Sequence, residues 1–265
     1  MTRPTRVFVR DDDLGKPFAA LPRFHRMFVD RGIPIAYQVV PSFLDGDTAA
    51  EARAMHDAHP DLVELHQHGN RHEQMLDDAH AWSEFAGSAP YADQLTTLGE
   101  GRERLTALLG PAFDPSVFTP PAHKYGPTTV RALEALGVRI ISCGVHTDRL
   151  ARAVYATARL TRRVRYGNRT LSHHGRRLPG SRITEWSCAI DVDQDGNGNR
   201  VTRSADELRR AFGDARRHLD VVGLMLHHEC YDDDRKFAAL EAFLDELAGD
   251  QSVRFVALGS LEDGS

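Results

Sequence analysis

The sequence of 265 residues contains no long apolar run and only three cysteines. Because no stretch of about 18 apolar residues occurs, a membrane-spanning helix is not expected. Cys143, Cys188 and Cys230 are far apart and form no Cys-x-x-Cys pair, so we expect reduced thiols rather than disulfides. No apolar leader precedes the first apolar run at residues 7–9, and these features together predict a cytoplasmic protein.

Basic residues are fewer than acidic residues. The chain has 33 Lys and Arg residues against 38 Asp and Glu residues, and its formal net charge of -5 argues against a nucleic-acid partner bound through a basic surface. The segment 159–165 is a local exception with four arginines, and we interpret it as a solvated strand edge or loop rather than a polyanion site. Hydrophobic residues make up 41% and charged residues 27%, which is typical of a globular protein.

Histidine is the residue type that the sequence has in excess, with 14 copies. Many of them cluster at residues 66–72, 173–174 and 227–228. Histidines near aspartates supply metal ligands and acid–base groups. The first and last clusters are therefore candidates for a functional site, and the sequence assigns no role to the middle one.

Short apolar runs alternate with amphipathic stretches along the chain. Runs at 35–40, 62–65 and 221–226 predict buried strands, and a capping box at 204–207 predicts the start of a helix. Six or seven strand–helix units predict an α/β fold, a distorted (β/α)7-type barrel with a mostly parallel sheet. The less regular segment 153–190 is expected to contain an antiparallel hairpin insertion. No repeat or linker is visible, so we predict a single domain.

Polar side chains follow three of the predicted strands, whose ends should meet at the catalytic rim of such a barrel. Three consecutive aspartates, residues 11–13, follow the first strand. His68 and His72 follow the third, and two imidazoles spaced i,i+4 on a helical turn can bind one metal ion together with a nearby carboxylate. An open position would then hold a water that ionises near neutral pH. Exposed histidines and a solvated acidic turn are the alternatives.

A further histidine follows six apolar residues, 221–226, and is expected at the same rim. His227 could protonate a leaving amine. The alternative is a hydrogen-bonded core histidine. His228 and Glu229 could orient His227 or substitute for it.

The order of these residues resembles the polysaccharide deacetylase family, the carbohydrate esterase family 4 group with the NodB homology region. The resemblance extends over nearly the whole chain, from residue 7 to about residue 228. The family's Asp-Asp motif matches the stretch 10–13, its His-x-x-x-His motif matches 68–72, and its late Leu-His matches 226–227. This resemblance implies one NodB-type barrel domain over residues 1–265.

The resemblance also implies roles for individual residues. Asp12 would be the general base and His227 the general acid, although a shift of one residue would involve Asp11 instead. One divalent metal ion would be bound by Asp13, His68 and His72. Zinc is the expected metal, with Co2+, Mn2+, Fe2+ or Ni2+ as alternatives. The predicted substrate-binding residues are Tyr125, through a backbone N–H near the oxyanion, and His66, Asp11 and His228.

Two parts of the family pattern are incomplete. The Arg-x-Pro-x-Gly motif is matched only partly, with Thr119 near the place of the arginine. We expect Arg10 or Lys124 to take over the task of that arginine. The Asp-x-x-Asp-Trp type motif has no clear counterpart, and Asp148 and Asp191 are candidates.

The function that the resemblance implies is metal-dependent deacetylation. An N-acyl group, first of all N-acetyl, would be removed from an amino sugar or a small sugar-containing intermediate. The predicted cytoplasmic location argues against peptidoglycan or chitin. Hydrolysis of another C–N bond, in a cyclic amide or ureide, is one alternative, and a non-catalytic carbohydrate- or metal-binding relic is the other. The segment 73–90 would be a lid over the substrate or an ordinary surface loop.

One acidic segment imitates the start of a calcium loop. In residues 191–199, Asp or Asn stands at every second position, as at the start of an EF-hand calcium loop. The twelfth position of such a loop is usually Glu, but here it is Thr202. We interpret the segment as a Gly- and Asn-rich turn, with weak calcium binding as the alternative.

Overall fold

The computed structural model describes residues 3–72, 84–85, 89–167, 169–195 and 199–261. The strands are β1 (Thr5–Leu14), β2 (Ile35–Val39), β3 (Val63–His68), β4 (Phe113–Thr119), β5 (Ile140–Ile141), β6 (Arg165–Tyr166), β7 (Arg169–Thr170), β8 (Arg176–Arg177), β9 (Thr184–Glu185), β10 (Cys188–Asp191), β11 (Val221–Leu226) and β12 (Val253–Phe255). The helices are α1 (Leu21–Val29), α2 (Gly46–Ala58), α3 (Tyr91–Leu109), α4 (Pro127–Ala135), α5 (Arg149–Thr161), α6 (Ala205–Arg216) and α7 (Asp234–Gly249). Among these described helices, none has the length and apolar character needed to cross a membrane.

The main sheet is strongly curled and almost entirely parallel. Its strands pair in the order β10-β11-β1-β2-β3-β4-β5-β9-β8, with β12 added to β1, and only β8 runs antiparallel to its neighbour. Strands β9 and β10 are separated by only two residues, so one stretch of chain pairs with β5 at its start and with β11 at its end. Seven strand positions therefore surround the core, and the predicted distorted (β/α)7-type barrel is confirmed.

Strands β2 and β11 are continuous apolar runs in the sequence because both faces of each strand are buried. Every residue of β2 and β11 is buried, as is usual for parallel strands covered by helices on one side and by the barrel interior on the other. The predicted capping box is present at the start of α6. The Glu207 N–H donates to Ser204 Oγ at 3.3 Å, and the Ser204 N–H donates to the Glu207 carboxylate at 2.8 Å.

The segment after β5 contains more regular structure than the sequence indicated. Residues 149–161 form helix α5, whose start is capped by Asp148 through the N–H groups of Leu150 and Ala151, both at 3.0 Å. The predicted antiparallel pairing is present as β6–β7 and β8–β9. The sequence did not predict this helix, because only two of its residues, Tyr155 and Ala158, are buried. Asp148, one of the two candidates for the missing aspartate motif, is thus an exposed helix cap.

The predicted lid lies mostly outside the described residues. Glu84 is buried, and its carboxylate accepts hydrogen bonds from the N–H groups of Asn70 at 2.9 Å and Arg71 at 3.1 Å. This contact joins residue 84 to the loop that follows β3.

Candidate metal centre and active site

Asp13 reaches the rim of the barrel because β1 is irregular at its end. The register between β1 and β2 shifts between Asp11 and Leu14, and Asp13 has a φ of 69°. A β-bulge of this kind points one side chain in a different direction from the one that regular strand alternation would give it. His72 has a φ of 55°. Left-handed backbone costs a non-glycine residue roughly 1–2 kcal/mol, and such residues concentrate at functional sites.

The three predicted metal ligands lie next to one another. Asp13 Oδ1 is 3.2 Å from Nε2 of His68 and 3.2 Å from Nε2 of His72. One ligand atom from each residue can be chosen so that all lie within 4.8 Å of one another. His68 ends β3, and the chain then turns through Gly69, with a φ of 60°. The i,i+4 pair therefore arises from a bent loop, and the helical turn expected from the spacing is wrong.

The hydrogen bonding of His68 suits a cation at this position. Its Nδ1 is 2.9 Å from the carbonyl oxygen of Thr119, which can only accept, so Nδ1 carries a proton. In a neutral imidazole, Nε2 then turns its lone pair toward Asp13 Oδ1, a buried oxygen with no hydrogen-bond partner among the described residues. Electron-rich atoms that face one another in this way fit a divalent metal ion with N and O ligands.

Asp13 is ionised in this arrangement. Burial raises the pKa of its carboxyl group, but the adjacent imidazole of His68, followed by that of His72, outweighs burial, so the pKa lies well below its ordinary value. An anionic oxygen beside two imidazoles completes a three-ligand set, and such sets leave a position open in catalytic zinc sites.

Asp12 forms a buried ion pair with Arg10. Arg10 Nε is 2.8 Å from Asp12 Oδ1, and Nη2 donates to Oδ2 at 2.9 Å. Residues two apart on a strand share a face, so both side chains point into the barrel. Burial raises the pKa of Asp12, but the charge of Arg10 and those of neighbouring histidines bring it below its ordinary value. Arg10 thus keeps Asp12 ionised, which is the form that a general base requires.

His227 is held by an aspartate that the sequence reasoning missed. Its backbone N–H donates to Asp193 Oδ2 at 2.8 Å, and its Nδ1 lies 2.8 Å from Asp193 Oδ1. Burial lowers the pKa of His227, but the hydrogen bond and charge of Asp193 outweigh it and raise the pKa to about 10. A protonated imidazole with a fixed ring is suited to donate a proton. The available signal was the pattern Asp-x-Asp at the end of a strand.

A second group of possible metal ligands surrounds this pair. Atoms of Asp191, Asp193 and His227 also lie within 4.8 Å of one another. Both oxygens of Asp193 already accept hydrogen bonds from His227, and Asp191 Oδ1 accepts one from the Gln194 N–H at 2.9 Å. The group around Asp13 has the freer donor atoms and is the better metal site.

Asp11 and His228, two of the predicted substrate-binding residues, pair with each other inside the protein. Both are fully buried, and they bind each other through the backbone N–H and Nδ1 of His228, each 2.7 Å from the Asp11 carboxylate. Strand alternation explains this, because Asp11 points to the opposite face from Asp12, toward the helices. Phe18 and Phe24 pack beside His228 there. The same burial argues against Asp11 as the general base.

His66 and Tyr125, the other two predicted substrate-binding residues, are also buried. His66 is fully buried two residues before His68 on β3, which is about 6–7 Å deeper in the barrel. Tyr125 is fully buried as well, and its hydroxyl donates to Glu185 at 3.0 Å. The Tyr125 N–H donates to Thr170 Oγ1 at 3.3 Å, so this N–H is not available to an oxyanion.

His123 lies beside the candidate base, although sequence reasoning did not single it out. Its Nε2 is 2.7 Å from Arg10 Nη2 and 4.0 Å from Asp12 Oδ2, and its side chain is 27% exposed. When Thr119 is placed at the arginine of the Arg-x-Pro-x-Gly motif, His123 stands where the motif has glycine. The φ of 57° at His123 is consistent with a glycine position.

The acidic segment that imitates a calcium loop contains a turn in its described part. The Asp195 N–H donates to the Asn199 carbonyl at 2.9 Å, and the Asn199 N–H donates to Asp195 Oδ1 at 2.9 Å. Residues 196–198 lie outside the described residues.

Solved structures share this fold. No family model matches the sequence, and no curated protein is significantly similar to it. A candidate polysaccharide deacetylase from Mycobacterium smegmatis superposes with a TM-score of 0.69 at 16% identity, over 97% of this chain and 89% of that chain. A family 4 acetyl xylan esterase from Clostridium thermocellum, solved with a cobalt ion, gives 0.55 at 14% identity, over 96% and 88%. The Bc1960 peptidoglycan N-acetylglucosamine deacetylase gives 0.57 at 13% identity, over 99% and 90%.

These comparisons establish the architecture. The chain has the fold of polysaccharide deacetylases and family 4 carbohydrate esterases, and the resemblance stated from the sequence is confirmed at the level of the fold. Function has to be argued from the site itself, because one fold supports many activities.

Proposed function

We propose that this protein is a metal-dependent hydrolase that removes an N-acyl group, first of all N-acetyl, from an amino sugar or a small sugar-containing intermediate. The observation that carries the proposal is the convergence of Asp13, His68 and His72, with an ionised Asp12 and a protonated His227 close by. The deacetylase activity of proteins that share the fold supports the choice of bond.

Each side chain has a separate task in this reaction. A divalent ion held by Asp13, His68 and His72 would supply a Lewis acid that polarises the acyl oxygen and acidifies a water molecule. Asp12 accepts a proton from the attacking water, whose oxygen bonds to the acyl carbon. His227 donates its proton to the amine nitrogen as the C–N bond breaks. The products are a carboxylic acid and a free amine.

The ion pair of Asp12 with Arg10 favours a base over a metal ligand. Both Asp12 oxygens lie within 2.9 Å of the Arg10 guanidinium, so the carboxylate is oriented before substrate binds. The attachment of His227 to Asp193 serves the same purpose for the acid. Orientation by neighbouring groups that do not touch substrate is common in acid–base sites.

Acetate release tests the proposal. The purified protein would be loaded with zinc, cobalt or manganese and incubated with N-acetylglucosamine, its oligomers and a nucleotide-linked N-acetyl sugar. Free acetate and bound metal would be measured on the same samples. Asp12→Asn should lose most turnover, roughly a hundredfold or more, and keep its metal. His68→Ala should lose the metal itself.

Two results would contradict the proposal. Turnover that survives in both variants would remove these residues from the reaction. Ring opening of a cyclic amide or ureide without acetate release would assign the site to another C–N bond.

A further inference from the structure

The positive charge of this protein is concentrated in one segment. Residues 149–182 contain ten arginines and no Asp or Glu, whereas the other residues carry 23 basic and 38 acidic side chains, a formal charge of -15. Nine of the ten arginines are exposed, Arg165 being the exception. Setting Arg165 and Arg177 aside, the other eight arginines form no ion pair with a carboxylate of the described residues. The described carboxylates therefore leave the positive charge of these eight side chains unpaired.

The same segment exposes apolar side chains. Of the described residues, the large hydrophobic ones left exposed are Leu150 at 71%, Leu160 at 85% and Tyr166 at 70%. On α5 the positions 150, 153, 154, 157 and 160 are Leu, Ala, Val, Thr and Leu, and this spacing forms one stripe along a helix. The stripe is distinct from the face that buries Tyr155 and Ala158 against the barrel. We call the stripe, Tyr166 and the surrounding arginines the α5 surface.

The α5 surface has a concave part and adjoins the candidate active site. A groove of about 460 Å³ runs between α5 and the β6–β7 hairpin, with Val154, Thr157 and Leu171 among its lining residues. The hairpin touches the loop after β4, because Thr170 Oγ1 accepts from the Tyr125 N–H at 3.3 Å. That loop also carries His123, beside Asp12.

We propose that the α5 surface docks the protein on an anionic membrane surface. A helix with an apolar stripe flanked by arginines is suited to lie in the plane of a lipid interface, with the leucines among the acyl chains. Anionic head groups attract the exposed arginines of the α5 surface and repel the acidic remainder, so they also orient the molecule. A symmetric dimer through this surface is disfavoured, because arginine would face arginine. A nucleic acid is also disfavoured, because its phosphates would bind the arginines but offer no apolar surface to bury the exposed leucines.

Vesicle flotation tests the docking surface with the full chain. The vesicles would contain phosphatidylcholine and phosphatidylglycerol at about 70:30, in about 150 mM NaCl, with pure phosphatidylcholine as the comparison. Wild type should float with the anionic vesicles only. Leu150→Glu combined with Leu160→Glu should lower the partition coefficient by at least about tenfold.

A matched control separates the apolar stripe from added charge. Thr96→Glu combined with Thr106→Glu adds the same charge at the same spacing on exposed positions of α3 and should float as wild type does. The proposal is overturned if wild type ignores anionic vesicles, or if both double variants float equally. Binding to soluble poly-glutamate without vesicle binding would instead assign the surface to an acidic protein.

Discussion

Individual charged residues inside this barrel are tolerated because each has a partner. Arg10 is fully buried and pairs with Asp12, and Asp11 pairs with His228. Burying a charge without a partner costs several kcal/mol, so these pairs restrict where the end of β1 can lie. Asp13 is different, since its buried oxygen faces two imidazoles and no hydrogen-bond donor among the described residues. Of the three aspartates, it is the one whose free oxygen is available to a cation.

Asp193, which accepts hydrogen bonds from His227, should affect proton donation by His227 and not metal binding. In Asp193→Asn the anionic acceptor at Nδ1 is lost, so the charged imidazole is stabilised less and kcat should fall by roughly 10²–10⁴. Metal content should not change. The measurement is the pH profile of kcat, whose basic limb should move to lower pH.

Asp191→Asn is the matched control for this variant. Asp191 Oδ1 accepts a hydrogen bond from the Gln194 N–H, and among the described contacts Asp191 forms no hydrogen bond with His227. It should keep its activity. Loss of metal from Asp191→Asn, with metal retained in His68→Ala, would place the metal in the other group of ligands.

A buried histidine away from the site should make stability depend on pH. His25 lies 3.1 Å from the Tyr37 hydroxyl, and burial, followed by the charge of His59, lowers its pKa to about 4. The unfolded chain binds this proton near pH 6.5, so the fold loses stability as pH falls from there toward 4. The contribution is about 2–3 kcal/mol. Urea unfolding at about pH 7 and about pH 5 should show a smaller loss in His25→Gln than in wild type. Equal losses would contradict the assignment.

At the scale of elements, one glycine allows β11 to lie close to the side chains and backbone of its neighbours. Gly223 lies in the middle of β11 between its neighbours β1 and β10. A Cβ atom there would stand 2.3 Å from the Phe8 ring and 2.8 Å from Cys188 Cα. Only glycine allows the phenylalanine and the adjacent backbone to occupy these positions together.

Gly223→Ala should therefore destabilise the fold by about 1–3 kcal/mol through overpacking. Gly213→Ala on α6 is the control, because nothing lies within 4 Å of a Cβ atom at that position. Alanine favours helix more than glycine does, so the control should be neutral or stabilising by up to about 1 kcal/mol. Urea denaturation of both variants measures the difference. Equal stability of the two variants would contradict the tight approach of β11 to Phe8.

At the scale of the whole molecule, the proposed metal ligands connect separate parts of the chain. Asp13 lies next to the last residue of β1, whereas His68 ends β3, on the far side of β2, and His72 follows it. An ion bound by all three can bind only to the folded chain with this geometry. Metal binding should therefore stabilise the entire fold rather than one loop.

Zinc at about a thousand times its dissociation constant should raise the free energy of unfolding by about 4 kcal/mol and raise Tm. A chelator should reverse the shift, and His68→Ala should show none. Thermal unfolding with and without the ion measures this. An equal zinc-induced shift in His68→Ala would show that the stabilising ion binds elsewhere.

The sequence by itself determined the parts of this protein that depend on local periodicity. Apolar runs and amphipathic spacing predicted the β/α alternation, and polar residues at the strand ends made Asp12, Asp13, His68, His72 and His227 candidates for the site. Strand period and barrel topology then require these residues to share one rim, whichever side chains surround them.

Only the tertiary structure decided the partners of those residues. Asp193 stands 34 positions before His227, and His123 stands 113 positions after Arg10, yet each pair is in contact. Burial of Asp11, His66, Tyr125 and His228 likewise follows from which face and which depth of the barrel each side chain occupies. Such contacts depend on the packing of distant segments, and the spacing of residues along a strand carries no information about what will lie opposite them.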